Sequence, residues 1–372
     1  MPPLNILIKP MSSNCNLRCK YCFYHSIAEN RETYSYGLMD SETLEILVEK
    51  ALAYADQYCT FAFQGGEPTL TGLKFFEKLI ELQKEYNVKN LKINNVLQTN
   101  GMIIDTAWAR FLAEHNFLVG ISLDGPKDIH DYYRIGINCK GSFSKVMKAI
   151  QLFNKHSVEY NILCVVTANV ARHISKIYNF YKKHDFHYLQ FIPCLDPQGE
   201  LRGRYNYSLT PERYAYFLKR IFDEWYADVL QGYPINIRYF DNLVGLAMGL
   251  PPESCGLSGT CSFQFVVEAD GGVYPCDFYV FDRWYIGNVR NLLFEEIEKS
   301  DIVKEFIEGS KYTDPTCKQC RWGNFCRGGC RRDREPFMEN LPTLNYYCAA
   351  YKEFFEYASP RIYELARRFS VG

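Results

Sequence analysis

Hydrophobic and polar positions follow two alternating patterns over the N-terminal half of the chain. Short continuous runs of apolar and β-branched residues indicate strands that are buried on both faces, as in a parallel sheet. Between them, helical spacing places Leu73, Phe76 and Ile80 on one face of a predicted helix, and the segment GSFSKVMKAIQLF shows the same spacing. The predicted strands are LNILIK, CTFAFQ, LKINNVLQT, FLVGISLD, YNILCVVT and HYLQFIP.

These strand–helix repeats predict a parallel α/β fold, either an incomplete barrel or an open doubly wound sheet. The pattern changes after Pro193, where Thr210 and Pro211 predict the N-cap and first turn of a long helix. Further on, FQFVVEADGGVYPC indicates a hairpin that turns at Asp270-Gly271-Gly272. We therefore predict an α/β domain over residues 1–234 and a cysteine-rich module with a C-terminal helix over residues 235–372.

Composition narrows the class of protein. The 372 residues are 47% hydrophobic and 23% charged, which is ordinary for a folded soluble protein. The net charge of −1 favours neither nucleic acid nor a membrane surface as a partner. The N-terminal segment MPPLNILIKP lacks the apolar core of a secretory signal, and no apolar run is long enough to span a bilayer. We expect a cytoplasmic protein.

The chain has 15 cysteines, an odd and high number. Cytoplasmic thiols stay reduced, so metal binding is a better explanation than a disulfide framework. Three cysteines lie near the N-terminus and eight lie between Cys255 and Cys348, whereas four are scattered and are predicted to be small buried hydrophobic residues. The scattered four are Cys59, Cys139, Cys164 and Cys194.

Cys15, Cys19 and Cys22 have the spacing C-x3-C-x2-C in a loop that follows the first predicted strand. Three thiolates can bind three irons of a 4Fe–4S cluster and leave the fourth iron open to a small molecule. The alternatives are a zinc site that takes a fourth ligand such as His25, or three ordinary thiols.

The triplet, with Tyr21 before its third cysteine, resembles the signature of the radical S-adenosylmethionine (SAM) enzymes. The segment GGEP that contains Gly65 and Gly66 resembles the glycine-rich motif of the same family. The resemblance implies a partial (β/α)6 barrel in which the amino and carboxylate groups of SAM bind the open iron. Since glycine allows close approach of the backbone, we expect Gly66 to contact the methionyl part of SAM.

Three further residues at the ends of predicted strands are implied by the same resemblance to bind SAM. Ser122 and Arg134 would hold its ribose hydroxyls and carboxylate, and Leu195 would pack on its adenine. Active sites of such folds gather at the carboxyl ends of the strands, which is where these residues fall. The alternatives are that Ser122 caps local backbone and that Arg134 is a surface cation.

The C-terminal cysteines resemble the SPASM extension of radical SAM enzymes that modify peptides, including Gly271 at its place between Cys261 and Cys276. Eight thiols suffice for two further 4Fe–4S clusters, and two zinc sites are the alternative. The family pattern implies two ligand sets, Cys255, Cys261, Cys276 and Cys330 for one cluster and Cys317, Cys320, Cys326 and Cys348 for the other. Nearby arginines either offset the cluster charge or form a solvated face; they are Arg327, Arg331, Arg332 and Arg334.

Asp277 directly follows Cys276 in the segment YPCDFY, and sequence alone favours a carboxylate that faces solvent or supports a neighbour. This segment, together with motifs along almost the whole chain, resembles the anaerobic sulfatase-maturating enzymes, in which this aspartate is the catalytic base. The resemblance implies three 4Fe–4S clusters and SAM as cofactors. From their positions near the first cysteine group, Tyr24 and Gln64 are predicted to flank the substrate channel, where they could hydrogen-bond to an extended peptide.

The implied reaction oxidises a cysteine or serine of a sulfatase to Cα-formylglycine, by way of a 5′-deoxyadenosyl radical. The implied partners are a sulfatase segment of the type Cys/Ser-x-Pro/Ala-x-Arg and an electron donor such as ferredoxin or flavodoxin. One alternative is a radical SAM maturase that forms thioethers in another ribosomal peptide. Another is an iron–sulfur electron carrier or zinc scaffold without catalysis.

Overall fold

The computed structural model describes residues 3–337 and 342–370. All six strands predicted over the N-terminal half are present within one or two residues of their expected ends. The strands are β1 Leu4–Ile8, β2 Tyr58–Phe63, β3 Lys92–Thr99, β4 Leu118–Ser122, β5 Tyr160–Val166, β6 Tyr188–Pro193, β7 Asn236–Ile237, β8 Phe265–Val267, β9 Gly272–Tyr274 and β10 Gly287–Asn288.

The helices alternate with the first six strands and then dominate the chain. The N-terminal helices are α1 Phe23–Glu29, α2 Ser41–Tyr54, α3 Leu73–Tyr86, α4 Thr106–Glu114, α5 Lys127–Tyr133, α6 Phe143–His156, α7 Ala168–Arg172 and α8 Ile174–Lys183. The later helices are α9 Pro211–Leu230, α10 Arg238–Ala247, α11 Phe294–Glu298, α12 Asp301–Glu308, α13 Pro315–Lys318, α14 Gly323–Cys326 and α15 Cys348–Ser370.

The chain divides into two compact units that interleave along the sequence. The first unit contains residues 1–123, 130–160 and 263–305. Its strands lie in the order β10-β9-β8-β1-β2-β3-β4, with parallel pairing from β8 to β4. Phe76 of α3 packs on Phe63 at 5.0 Å and on Trp108 at 5.3 Å between ring centroids, which places an aromatic core between sheet and helices.

The predicted hairpin forms as β8 and β9, which pair antiparallel around Gly271, a residue with a φ of 88°. Its first strand pairs parallel with β1, with Ile6 opposite Phe265. The cysteine-rich part of the chain therefore contributes strands to the same sheet as the first strand. The predicted boundary between residues 234 and 235 stays a prediction.

The second unit contains residues 124–129, 161–262 and 306–372, and β5, β6 and β7 form its parallel sheet. The predicted start of α9 is confirmed, since the Thr210 side chain accepts a hydrogen bond from the backbone N–H of Arg213. Phe222 of α9 lies 5.2 Å from Phe240 and 5.6 Å from Phe354 of α15 between ring centroids. These rings form the core of the unit. No helix among the described residues is long and apolar enough to cross a membrane.

Candidate active site and cluster sites

The loop between β1 and α1 carries Cys15, Cys19 and Cys22, as predicted. Burial and the nearby Glu67 carboxylate raise the pKa of the Cys15 thiol to about 12, and burial raises the pKa of Cys22. The backbone N–H of Leu17, at 3.4 Å, points at the Cys15 sulfur. Buried thiols of this kind lose their protons when metal cations bind, because the cations compensate the charge of the thiolates.

Gly66 allows this loop to approach the end of β2. A Cβ atom added at Gly66 would lie 2.3 Å from the carbonyl oxygen of Asn14, and the residue has a left-handed φ of 55°. The next residue reinforces the contact, because the Glu67 N–H donates to the same Asn14 oxygen at 2.9 Å. Gly66 thus has a structural role in placing the cysteines, and its predicted contact with SAM stays a prediction.

Glu67 is 1% exposed and ties two strand ends together. Its carboxylate accepts hydrogen bonds from Thr99 Oγ1 at 2.6 Å and from the N–H of Asn100 at 2.8 Å. Asn100 in turn directs its amide towards the Cys15 sulfur, at 3.7 Å. The glutamate therefore links the glycine motif, the end of β3 and a predicted cluster ligand.

A buried ion pair anchors the start of the loop. Arg31 Nη1 lies 2.8 Å from Glu268 Oε1, and its Nη2 donates to Ser12 Oγ at 2.9 Å. Both charged side chains are 2% exposed or less. Because a buried pair with further hydrogen bonds is costly to break, this contact fixes the loop against the hairpin.

Asp277 is 6% exposed, so the interpretation from sequence alone as a carboxylate that faces solvent is wrong. Its Oδ2 accepts hydrogen bonds from Tyr24 OH at 2.5 Å and from Gln64 Nε2 at 3.0 Å. Its Oδ1 lies 3.0 Å from the ammonium of Lys9. Burial and the Asp277 charge raise the pKa of Tyr24 well above its usual value, so this phenol stays protonated and donates.

Lys9 is the residue of this group that the sequence did not reveal. Its ammonium lies 3.9 Å from the centre of the Tyr24 ring and packs against Gly65, where an added Cβ would meet it at 2.8 Å. The available signal was a lysine at the end of an otherwise apolar strand, directly before the cysteine loop. The structure thus brings Lys9, Gln64 and Asp277 together around Tyr24, which is two residues after Cys22 in the sequence.

Arg134 is 6% exposed, so the alternative of a surface cation is wrong. Its guanidinium lies 5.4 Å from the ring centre of Tyr21, and its charge acts on Cys22 against the effect of burial. Ser122, at the end of β4, accepts a hydrogen bond from Gln98 Nε2 at 3.2 Å. Leu195 follows β6 in the second unit and is half-buried. The roles of these residues towards SAM stay predictions.

One of the two predicted sets of C-terminal cysteines surrounds a cavity of about 310 Å³. The positively charged residues Lys311, Arg327 and Lys352 also line this cavity. A cavity with four thiols and several cations fits an anionic 4Fe–4S cluster. The four thiols belong to Cys317, Cys320, Cys326 and Cys348.

Three members of the other set, Cys255, Cys261 and Cys330, lie close enough for the charge of each to influence its neighbours. Burial raises the pKa of Cys330, and Ser310 Oγ accepts a hydrogen bond from the backbone N–H of Cys261 at 2.8 Å. Cys276 belongs to the first unit, where it directly precedes the Asp277 turn. Its assignment as the fourth ligand stays a prediction.

Arg331, Arg332 and Arg334 are each 5% exposed or less, so the alternative of a solvated face is wrong for these three. Arg331 and Arg334 donate to backbone carbonyls and lower the cost of charge on Cys261.

Of the four scattered cysteines, Cys139 is exposed, which corrects the prediction that all four are buried. Within residues 3–337 and 342–370, no three His, Cys, Asp or Glu side chains converge on a single ion site.

Comparison with known proteins agrees with this arrangement. Residues 10–180 match the model of the radical SAM superfamily, and residues 259–321 match that of an iron–sulfur cluster-binding domain called SPASM. The fold and the cysteine sets thus define a radical SAM protein with an auxiliary cluster domain. The chain belongs to the family of anaerobic sulfatase-maturating enzymes.

The relatives that establish this family are similar over almost their full length. A cysteine-type anaerobic sulfatase-maturating enzyme of Clostridium perfringens is 55% identical over 98% of this chain and 99% of its own. A serine-type enzyme of Bacteroides thetaiotaomicron is 34% identical over 96% of this chain and 90% of its own. A solved structure, native anSMEcpe with bound AdoMet and Cp18Cys peptide, has a TM-score of 0.95 and 53% identity, covering 99% of this chain and 100% of that chain.

These findings confirm the predicted fold class, a partial (β/α)6 barrel of the radical SAM type with a SPASM module. The protein is a radical SAM enzyme that uses 4Fe–4S clusters and SAM. The alternatives of a zinc scaffold and of a non-catalytic electron carrier are therefore set aside.

Proposed function

We propose that this protein oxidises a cysteine of a sulfatase polypeptide to Cα-formylglycine under anaerobic conditions. The observation that carries the proposal is the buried Asp277 carboxylate, held by Lys9, Tyr24 and Gln64 close to the cysteine loop. A base in such a position can take the proton of a substrate thiol. Similarity to cysteine-type relatives, 55% against 34% for a serine-type relative, supports cysteine as the preferred substrate residue and serine as the weaker one.

The side chains around the substrate have separate roles in the proposed reaction. When bound, the cofactors supply hydrogen-atom abstraction from the β-carbon of the substrate and an acceptor for the second electron. Cys15, Cys19 and Cys22 would hold the cluster that works with SAM. Asp277 takes the thiol proton, and the ammonium of Lys9 stabilises the carboxylate that must accept it.

Gln64 determines how the substrate reaches the base. Tyr24 OH lies 2.5 Å from Asp277 Oδ2, whereas Gln64 Nε2 lies 3.0 Å from the same oxygen. We assign to Gln64, which makes the longer contact, the role of giving up its position to the substrate thiol. Loss of a hydrogen atom, a proton and one electron turns the thiol into a thioaldehyde, which water hydrolyses to the aldehyde and hydrogen sulfide.

Several further assignments belong to this proposal. Cys276 would complete the set of Cys255, Cys261 and Cys330 around one auxiliary cluster, and the cavity lined by Cys317 would hold the other. We propose that residues 1–234 and 235–372 are the two family modules. The electron donor would be a ferredoxin or flavodoxin, and the compartment would be the cytoplasm, where such donors and reduced thiols occur.

The test is mass spectrometry of a synthetic Cys-x-Pro-x-Arg peptide after anaerobic incubation with reconstituted protein, SAM and dithionite. The expected product carries formylglycine in place of cysteine and forms together with 5′-deoxyadenosine. A matched peptide with serine should react more slowly. SAM cleavage without peptide oxidation, or a thioether product, would refute the proposal.

A further inference from the structure

Two segments of the first unit contain no acidic residue, although the whole chain has 43 Asp and Glu against 42 Lys and Arg. The first segment is residues 3–28, in which the exposed cations Arg18 and Lys20 lie on either side of Cys19. The second segment is residues 132–158. Its exposed cations are Lys140, Lys145, Lys148 and Lys155. Positive charge is therefore concentrated in both segments, and such surfaces attract anionic partners.

Backbone hydrogen bonds join the two segments at the cysteine loop. The N–H of Arg18 donates to the carbonyl oxygen of Ile135 at 2.7 Å. The N–H of Lys20 donates to the carbonyl oxygen of Tyr133 at 3.2 Å. The start of the second segment is thus held against the loop that carries Cys19.

A short turn in the second segment returns Lys140 to this junction. The N–H of Gly136 donates to the carbonyl oxygen of Lys140 at 2.8 Å. Ile137, inside the turn, is 67% exposed, and Tyr132, before it, is 53% exposed. The Lys20 ammonium lies 5.6 Å from the centre of the Tyr132 ring. Exposed apolar side chains surrounded by polar ones are typical of a site that binds another protein.

The cations at this junction have no acidic partners. No ion pair among the described residues includes Arg18, Lys20 or Lys140. Arg18 Nη1 donates to the carbonyl oxygen of Cys15 at 3.2 Å, so no carboxylate neutralises its charge. Asp131, the acid directly before the second segment, is half-buried and accepts the N–H of Phe143 at 2.8 Å. We call the following five residues the basic surface: Arg18, Lys20, Tyr132, Ile137 and Lys140.

We propose that the basic surface binds a small acidic protein that delivers one electron to the cluster predicted at Cys15, Cys19 and Cys22. The inference rests on the proposed function, which needs an electron donor. Cys19 is half-buried between Arg18 and Lys20, so an electron that enters here has a short path to this cluster. The transfer moves one electron and no atoms, since the carrier loses the electron that the cluster gains.

The size and charge of the basic surface fit this kind of partner. Weak electron-transfer complexes bury less than about 1,200 Å² in total, an area that two short segments can supply. Complementary charge steers such partners together and accelerates their encounter, and a few exposed apolar side chains then complete the contact. We therefore expect binding that is weak, fast and sensitive to salt.

The test measures the binding of oxidised flavodoxin, an acidic protein that carries single electrons, to the reconstituted holoenzyme. Isothermal titration calorimetry gives the dissociation constant at low and high salt. Formation of 5′-deoxyadenosine is measured in parallel with reduced flavodoxin and with dithionite, because dithionite is small and needs no docking surface. Both measurements are made without sulfatase peptide, so neither depends on formylglycine formation.

The variant is Lys20→Glu/Lys140→Glu, and the control Lys92→Glu/Lys155→Glu makes the same change in net charge elsewhere in the first unit. Lys92 begins β3, at the sheet edge opposite to the loop that follows the parallel strand β1. Lys155 is in the last turn of α6, whose 14 residues span about 20 Å. Both control side chains are exposed.

At low salt, Lys20→Glu/Lys140→Glu should weaken flavodoxin binding by about tenfold and raise the KM for reduced flavodoxin to a similar extent. SAM cleavage with dithionite should stay unchanged. The control should change the affinity by no more than about twofold, because its charges are remote from the contact. High salt should weaken wild-type binding and remove the difference between the proteins.

Equal affinity of the wild-type protein and Lys20→Glu/Lys140→Glu for flavodoxin would overturn the docking surface and leave the proposed function intact. An equal loss of affinity in the control would show attraction by overall charge and would also overturn it, as would displacement of flavodoxin by sulfatase peptide. If the double variant lost iron, Lys140→Glu alone, outside the cysteine loop, would decide by the same measurements. Affinity that depends on these lysines, without any formylglycine in the peptide assay, would support the surface and refute the proposed function.

Discussion

The ammonium of Lys9 lies 3.0 Å from Asp277 Oδ1, although the two residues are 268 positions apart in the chain. Only 3% of the lysine side chain and 9% of the aspartate side chain are exposed. Removal of either partner leaves the other as a buried unpaired charge, which is more costly than removal of both. The pair is therefore central to both stability and the proposed chemistry.

Lys9→Met should lower the free energy of unfolding by about 3–5 kcal/mol and slow formylglycine formation by on the order of a hundredfold. Thermal unfolding and peptide mass spectrometry, both under anaerobic conditions, measure the two effects. The double variant Lys9→Met/Asp277→Asn should recover much of the stability while remaining inactive. Full activity in Lys9→Met would show that the lysine does not support the base.

Asp277→Asn should spare SAM cleavage and reduce formylglycine formation by about a hundredfold or more, because it removes the proton acceptor and none of the predicted cluster ligands. Chromatography of 5′-deoxyadenosine and of the peptide product separates the two steps. Asp301→Asn, the same change on an exposed side chain of the same unit, is the control. If both steps fell together, the carboxylate would be needed for SAM binding and would not be the base.

Gly66→Ala should displace the cysteine loop, because the new Cβ would meet the Asn14 carbonyl. We expect loss of one cluster's iron and of SAM cleavage, as in a variant with Ala at Cys15, Cys19 and Cys22. The control is Gly72→Ala, where the backbone also has a positive φ, 82° with a ψ of 162°, but no neighbour lies within 4 Å of the added atom. It carries only the strain of a backbone region that glycine alone adopts readily, about 1–3 kcal/mol. Normal iron content in Gly66→Ala would contradict the role in placing the loop.

Asp241→Asn should stabilise the protein above neutral pH. The folded protein raises the pKa of Asp241 to about 7, whereas an unfolded aspartate titrates near 3.9. Stability is thus lost as the pH rises from about 4 to 7 and stays lost above that range, because the folded state disfavours the ionised carboxyl. Allowing for partial exposure, the variant should be more stable by roughly 1–3 kcal/mol at pH 8.5 and equal at pH 4.

Thermal unfolding at several pH values checks this prediction, with Asp185→Asn as the variant that should show no such dependence. Greater stability of Asp241→Asn than of the wild-type protein at alkaline pH would mean that the ionised carboxyl of Asp241 destabilises the folded state. Lower stability of Asp241→Asn at pH 8.5 would contradict the raised pKa.

The fold could be predicted largely from the sequence, because buried parallel strands such as β2 and β5 appear as continuous apolar runs. The N-terminal group of Cys15, Cys19 and Cys22 could be recognised from its spacing, because three ligands of one cluster lie on one short loop. The division of the eight C-terminal cysteines into two sets could not be read from their order and came from the resemblance to the family. The partner of β8 could not be predicted, because pairing with β1 depends on contacts between residues more than two hundred positions apart. The division of the chain into two interleaved units could not be predicted for the same reason, because each unit combines segments that are far apart in the sequence.

The network around Asp277 shows the same limit at the level of side chains. Tyr24 and Gln64 were predicted beside the substrate from their positions near the cysteine loop and the glycine motif. Lys9 was not, because a lysine at a strand end is usually solvated, and only the tertiary fold shows that it is buried. Arg134 and Arg331 were ambiguous for this reason as well, since burial of a charge depends on distant partners.

The parallel pairing of β1 with β8 has a consequence for synthesis of the protein. At about 5–20 residues per second, translation places tens of seconds between the first strand and the strand that covers its edge. During that interval the nascent chain exposes an apolar edge and a loop of reduced thiols. Cellular factors that shield unfinished chains therefore have to act before β8 pairs with β1.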